Sequence, residues 1–472
     1  MMGKLVLRRA KQTGGPPSTD GGVVFRLQRG LDLPIDGAPD LRMIERGPDA
    51  TTCAVVAADF NGLKPRMRVE VGDTVRAGEP LFSDKRFEGV VHTAPASGRV
   101  QAINRGARRV LESVVIAIDA SVDGIDFPAT RVDDLPGLSR DQVVDILLES
   151  GLWTALRTRP YSKTPDPATA PHSIFITAMD TRPLAPDPAL ILGEAAEDFA
   201  TGAALVAKLT DGPTFVAHRY GASLPRVDAP NVALCAFDGP HPAGLAGTHI
   251  HLLDPVGEAK TVWHLGYQDV IAIGALFRTG KLPTDRVVAL AGPAAQRPRL
   301  MRVHRGASLL ELAQGETTTD AARLVSGDVL SGRHAEGPFA YLGAFANQIT
   351  LLPEHERREF FGWLVPSRRK FATARVHLSS FLGLDRIGFH TSLNGSPRAM
   401  VPFGLYEEVM PLDILATQLL RAILVADTET AQRLGVLELD EEDLALSAYV
   451  CPSKYEYGLA LRANLETIET DG

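Results

Sequence analysis

The sequence predicts a multidomain α/β and α+β protein, and three features of its patterning carry that expectation. Short alternating β runs broken by Gly-Asp and Gly-rich turns fill residues 24–120, apolar runs alternate with helical spacing over 137–285, and helical spacing prevails beyond about residue 341. A length of 472 residues accommodates about three domains. With 45% hydrophobic and 22% charged residues, the chain can build a sizeable core and is not disordered over most of its length. Its 43 Gly and 33 Pro are scattered without a period, which favours many turns and excludes collagen and coiled coil.

Residues 1–23 include the run from Gly14 to Gly22, which holds no apolar surface to bury and reads as a flexible leader. The segment 24–120 reads as a small all-β domain. Within it, Val69–Leu81 followed by Ala94–Val100 resembles the two halves of a biotinyl/lipoyl-type barrel-sandwich, with Gly72-Asp73 and Ser97-Gly98 as tight turns. Carrier domains of that kind modify a lysine at a hairpin tip, and Asp84-Lys85 falls at such a place. Arg86-Phe87-Glu88 follows where a small residue is usual, so a structural barrel is expected, with Lys85 unmodified.

Ser139-Arg-Asp-Gln142 is a capping box, in which a serine hydroxyl and a glutamine side chain satisfy each other's free backbone donors. Val143, Val144, Ile146 and Leu147 mark the apolar face of the helix that follows, and Gly151 ends it. Strands are expected at Ser173–Thr177, Thr214–Ala217 and Asn231–Ala236, and helices around Phe199–Leu209 and Gln268–Phe277. Together they make 137–285 an α/β layer domain. Residues 286–340 read as a compact α+β unit, with a strand at Arg286–Ala291 and Ser308 capping a short helix. The segment 341–472 reads as mainly helical, with helical spacing at Asp413–Ala426 and Glu438–Leu446.

A net charge of −8 leaves no broad basic field, which argues against nucleic acid and against an anionic bilayer as partners. Cys53, Cys235 and Cys451 are too few and too far apart for a four-cysteine metal or iron–sulfur site. The longest apolar stretch, Val270–Phe277, is less than half of a membrane span. The expectation is a chain neither exported nor membrane-spanning. Gly274–Lys281 looks like a phosphate loop, but it has five residues between its glycines and Leu282 in place of the metal-binding hydroxyl, so a helix ending at Gly280 is the better reading. His249 and His251, with His241 and His264 near in sequence, fall at strand spacing, where a metal site is geometrically open. No carboxylate is spaced to complete it, so histidines hydrogen-bonded beside a sheet edge are favoured and no metal is expected. Glu438–Asp443 reads as a solvated helix start whose acids complement the dipole. The stretch Gly151–Lys163 packs Arg157, Arg159 and Lys163 around Trp153, Pro160 and Tyr161. That combination suits a planar oxygen-bearing ligand or a partner surface, beside the plainer reading of a basic loop.

Several stretches resemble one family: Gly30–Ile35, Thr93–Gly98, Glu149–Ala155, Arg157–Pro160, His241–His251, Val262–Leu265, Tyr267–Gly274 and Glu438–Leu444. Their content and order resemble the NqrA family, the A subunits of the bacterial Na+-translocating NADH:quinone reductase, from about residue 24 onward. The resemblance implies a peripheral subunit on the cytoplasmic face of the inner membrane, in a six-subunit translocase that passes electrons from NADH to ubiquinone while exporting sodium. NADH, FAD, FMN and iron–sulfur centres would belong to partner subunits, and the chain would adjoin the membrane-embedded B subunit without a transmembrane segment of its own. It further implies likeness to the flavoprotein subunit of respiratory complex I, with a Rossmann-like domain at 137–285, a ubiquitin-like SLBB domain at 286–340 and the helical domain at 341–472. The flavin loop of those relatives corresponds to Leu156–Lys163, where Leu and Arg block the close phosphate approach that glycine permits. No redox cofactor is therefore expected on this chain. The other reading is a lipoyl- or flavin-type electron-transfer or carrier protein related to the Rnf complex C subunit.

The expected quinone-binding or subunit-interface residues are Leu156, Arg157, Thr158, Arg159, Pro160, Tyr161, Ser162 and Lys163. A second segment, 57–63, adds Phe60, Gly62 and Leu63, because an aromatic beside Gly62 can present a flat face on a turn.

Overall fold

The computed structural model describes residues 24–355, 371, 386–393 and 396–471. The leader at 1–23 and part of the expected helical domain lie outside the described residues. The barrel-sandwich is built from two antiparallel sheets. One orders the strands Thr52–Val56, Leu111–Ile118, Gly98–Arg105 and Thr74–Val75, and the other Pro65–Met67, Pro80–Asp84 and Val91–Thr93. Cys53, Leu81, Phe82, Val114 and Ile116 fill the space between them. The hairpin tip after Asp84 is pinned. Arg86 donates to Asp84 from Nε at 2.9 Å and from Nη2 at 2.6 Å, while Phe87 and Val90 pack into the core of the neighbouring α/β domain. Lys85 itself is exposed, between these two contacts.

Two strands within 24–120 pair outside the barrel. Val24–Arg26 runs parallel to Val232–Asp238 on the edge of the α/β sheet, and Asp40–Arg46 runs parallel to Arg299–His304 on the edge of a fourth sheet.

The α/β sheet has the order Val24–Arg26, Val232–Asp238, Thr214–Arg219, Ile174–Ala178, Val262–Gly266, Arg157–Arg159 and is parallel except for the last strand. Residues alternate between its faces. Ile174, Ile176, Val216 and Leu265 meet the helices Arg140–Glu149, Ala196–Val206 and Tyr267–Thr279, whereas Phe175, Phe215, Cys235 and Phe237 meet Ala246–Leu253. The capping box forms as expected: Gln142 N–H donates to Ser139 Oγ at 3.3 Å, and Ser139 N–H to Gln142 Oε1 at 2.9 Å. At the crossing of Ala196–Val206 with Tyr267–Thr279, a Cβ on Gly274 would stand 1.8 Å from Asp198 O. Gly280 ends the helix at φ +67°, its N–H on Leu276 O at 2.8 Å. Both glycines of the phosphate-loop look-alike thus serve helix packing and termination.

His249 and His251 correct their expected strand. They lie in the helix Ala246–Leu253, where residues two apart face away from each other, so they share no face for a metal. His249 is buried with Nε2 on Ala243 O at 3.0 Å. His251 hydrogen-bonds through Nδ1 to Glu438 at 2.7 Å and accepts the Asp413 N–H on Nε2 at 2.9 Å.

The fourth sheet orders Arg333–His334, Ala322–Ser326, Gln348–Pro353, Asp285–Ala291, Arg299–His304 and Asp40–Arg46, with the short helix Leu309–Leu312. Ser308 Oγ caps that helix, accepting the Glu311 N–H at 3.4 Å. Gln348–Pro353, beyond residue 340, is one of its central strands and lies parallel to Asp285–Ala291. The helices Leu405–Val409, Ala416–Leu424, Thr428–Arg433, Ala445–Val450 and Tyr457–Asp471 enclose a separate core around Leu419, Leu420, Tyr457 and Leu461. No helix among the described residues is long and apolar enough to cross a membrane.

Candidate functional site at a three-domain junction

Arg157–Arg159 is an edge strand, antiparallel to Val262–Gly266, with Arg157 opposite His264 and Arg159 opposite Val262. The chain then closes a tight loop: Thr158 N–H donates to Lys163 O at 2.8 Å and Ser162 N–H to Thr158 O at 3.0 Å. Tyr161 and Ser162 take positive φ within it. Leu156 and Pro160 are buried, as is Ser162, while Thr158, Tyr161 and Lys163 are half-buried.

Arg159 does not face solvent. Its guanidinium is 0% exposed and donates to Asp443 Oδ2 at 2.9 Å, to Glu438 O at 2.9 Å and to Asp440 Oδ2 at 3.3 Å. The acidic run Glu438–Asp443 is therefore not a solvated helix start. Asp440 and Asp443 are buried, each serves the other's capping, and Glu442 completes the knot with Arg182. Arg182 also meets Asp180 at 3.2 Å and Asp328 at 3.7 Å, and Arg462 reaches Asp440 at 2.8 Å. Burial pushes the Asp443 carboxyl up to about 6. Burial raises Asp440 as well, but Arg159 and Arg462 outweigh it and hold that carboxyl well below the usual range. A Cβ on Gly247 would lie 2.3 Å from Asp443 Oδ1, so glycine at the start of Ala246–Leu253 lets the carboxylate approach the helix N-terminus.

The fold brings the two expected segments together. Asn61 Nδ2 donates to Ser162 O at 3.2 Å, and a Cβ on Gly62, at φ +67°, would stand 2.8 Å from Lys163 Cε. Lys163 pairs with Glu469 of the last helix, and Arg462 donates to Tyr161 O at 2.7 Å. Leu63 turns into the barrel core.

Phe60 faces a cleft of about 110 Å³ where the barrel, the α/β domain and the fourth sheet's domain meet. Its ring lies 4.3 Å edge-on from His92 and 5.7 Å from Phe345. Leu152 and Leu342 add apolar walls, and Arg305 closes one end with Nη2 on Asp269 at 3.0 Å. Arg157 stands behind the wall, its guanidinium 4.4 Å from the Phe345 ring centroid. Burial pushes the His92 imidazole down to about 4, so the ring is neutral at physiological pH. Aromatic walls with one cationic donor suit a flat, carbonyl-bearing ring. Phe60 and Arg157 are legible in the sequence as candidates, whereas His92, Arg305 and Phe345 carry no local signal and Asp269 is marked only as one letter of the family-like stretch Tyr267–Gly274.

Three family models match the chain: the NqrA N-terminal barrel-sandwich hybrid domain over residues 25–119, the NqrA second alpha/beta domain over 138–282 and the NQRA C-terminal domain over 287–337. Among relatives named as A subunits of the Na(+)-translocating NADH-quinone reductase, that of Hahella chejuensis is 54% identical, that of Saccharophagus degradans 54% and that of Pseudomonas aeruginosa 53%. Each alignment covers 95% of this chain and 100% of the relative. Among solved structures, an NAD+-reducing [NiFe]-hydrogenase in the air-oxidized state aligns over 89% of each chain at 14% identity, with a TM-score of 0.36.

Proposed function

The chain belongs to the NqrA family, the A subunits of the Na+-translocating NADH-quinone reductase, and from that premise we propose that it serves the ubiquinone-reduction step as a peripheral subunit on the cytoplasmic face, without a redox cofactor of its own. The observation that carries this reading is the three-domain cleft. A quinone ring would lie against the wall that Phe60 and Phe345 form together, with Arg305 donating to a carbonyl oxygen. NADH, FAD, FMN and iron–sulfur centres would lie on partner subunits, and electrons would reach the quinone from the B subunit in the membrane. The segments 57–63 and 156–163 would then form the rim or the intersubunit contact, since they share one surface.

Two features weigh against the carrier or flavin reading. The Lys85 tip is pinned by Phe87, and the stretch at the flavin-loop position is an edge strand with Leu156 buried and Arg159 engaged, which leaves no cradle of free backbone donors for a phosphate.

The test replaces Phe60 and Phe345 together by Leu in the assembled complex, which keeps the apolar volume and removes the stacking. Loss of aromatic contact of about 0.5–1.5 kcal/mol for each of the two rings should raise the KM for ubiquinone at least roughly fivefold, with NADH oxidation by artificial acceptors unchanged. Normal ubiquinone kinetics in an assembled variant would remove the cleft as the quinone site.

A further inference from the structure

A second, smaller cavity lies on the far side of Asp269, at the carboxyl ends of Ile174–Ala178 and Val262–Gly266. Parallel α/β sheets place ligands in that position. Its volume of about 50 Å³ has room for roughly three or four water-sized groups.

Four of its lining side chains hold a buried polar atom without a hydrogen-bond partner: Arg157 Nε, Thr177 Oγ1, His264 Nε2 and Tyr267 Oη. His264 and Tyr267 are each 1% exposed. Buried polar atoms in folded proteins are nearly always satisfied, so four around one small space point to a polar occupant.

The electrostatics narrow its class. Of the cavity's three arginines, Arg182 is engaged by Asp180, Asp328 and Glu442, and Arg286 by Asp269 and Asn347. Arg157 has no carboxylate within ion-pair distance among the described residues, and Asp269 is itself shared between Arg286 and Arg305 at 3.0 Å each. The helix Tyr267–Thr279 also begins at the cavity, with Gly266 at its N-cap and the carboxylate of Asp269 in its first turn. The cavity's carboxylates, Asp180, Asp269 and Glu442, are each paired with an arginine, so the guanidinium of Arg157 and the two unpartnered hydroxyls favour a negatively charged occupant.

We propose that this cavity binds a small carboxylate anion, with the guanidinium of Arg157 on its oxygens and the Tyr267 and Thr177 hydroxyls donating to it. The inference stands apart from the quinone reading, because it concerns a different cavity and a different ligand. His264 is neutral there, its imidazole held well below its ordinary value by burial and by the arginines around it. It serves as a polar wall and not as a second cation.

The test titrates the purified full-length chain with sodium acetate, against sodium chloride at equal ionic strength, and follows the melting temperature. A saturable rise specific to acetate is expected. The affinity should fall about tenfold in Tyr267→Phe, which removes one hydrogen bond to a charged group, and should vanish in Arg157→Met. Should Arg157→Met fail to fold, Tyr267→Phe decides, since it deletes only a hydroxyl that bonds nothing within the chain. Absence of saturation in the wild type, an equal response to chloride, or unchanged affinity in Tyr267→Phe would each overturn the assignment.

Discussion

Arg159 and Asp443 lie 284 residues apart in the chain and 2.9 Å apart in the fold, and this contact ties the edge strand of the α/β sheet to the helical domain. Both partners are buried, so their attraction is little screened and neither tolerates loss of the other.

Replacing Arg159 by Met should therefore act on stability. It leaves Asp440 and Asp443 buried without their common cation, which costs about 3–5 kcal/mol. Urea denaturation of the purified chain measures the loss, and adding Asp443→Asn should restore part of it. A midpoint equal to the wild type would mean that the knot does not hold the domains together.

Lys163 gives the contrasting case. Its ion pair with Glu469 is partly exposed at both ends, and pairs of that kind contribute about 0–1 kcal/mol. Lys163→Ala should leave the unfolding midpoint nearly unchanged, and slower ubiquinone reduction in the assembled complex would then report on the surface itself. If quinone turnover also stays normal, the 156–163 loop plays no part in that step.

The pinned barrel hairpin makes a chemical prediction. Because Phe87 anchors the tip in the neighbouring core and Arg86 is held by Asp84, a modifying enzyme meets no free hairpin, and intact-mass measurement of the chain should show Lys85 without an acyl group. A lipoyl or biotinyl increment would reverse that reading.

What the sequence disclosed and what it hid divide by distance along the chain. Ser139 and Gln142 are three residues apart, so their capping box is written in four consecutive letters, and the same holds for Ser308 and for Gly280. The all-β, α/β, α+β and helical character of successive stretches followed from periodicity, but the strands Val24–Arg26, Asp40–Arg46 and Gln348–Pro353 join sheets of other segments. Hidden were facts whose cause lies far away. The acids at 438–443 look solvated until Arg159 and Arg182 are placed beside them, and Arg157–Arg159 looks like a loop until Val262–Gly266 offers a ladder. His249 and His251 mislead for a different reason, since spacing of two fits a strand but does not require one. Phe60 was legible as a turn aromatic, whereas its partners His92 and Phe345 come from other strands and loops.

Acid should weaken the protein through His92. The ring is 3% exposed and lies 4.6 Å from Phe82, and burial brings it from an ordinary 6.5 to about 4. Between those values the unfolded chain holds a proton that the folded one refuses. Stability is thus intact above pH 6.5 and falls as the pH drops toward 4, by about 3 kcal/mol at the limit. Denaturation midpoints at about pH 7 and about pH 4.5 should differ less in His92→Phe than in the wild type. An equal difference would place the acid sensitivity elsewhere.

The strands Val24–Arg26 and Asp40–Arg46 are each completed by a partner synthesised more than two hundred residues later, Val232–Asp238 and Arg299–His304. At typical translation speeds, on the order of ten seconds or more passes before the second partner leaves the ribosome. The nascent segment must wait unpaired for that time, with Phe25 and Ile44 lacking the cores they pack against, while the barrel that follows it is already complete. Domain order in the gene and order of assembly therefore differ, and a separately expressed barrel would carry two orphaned edge strands.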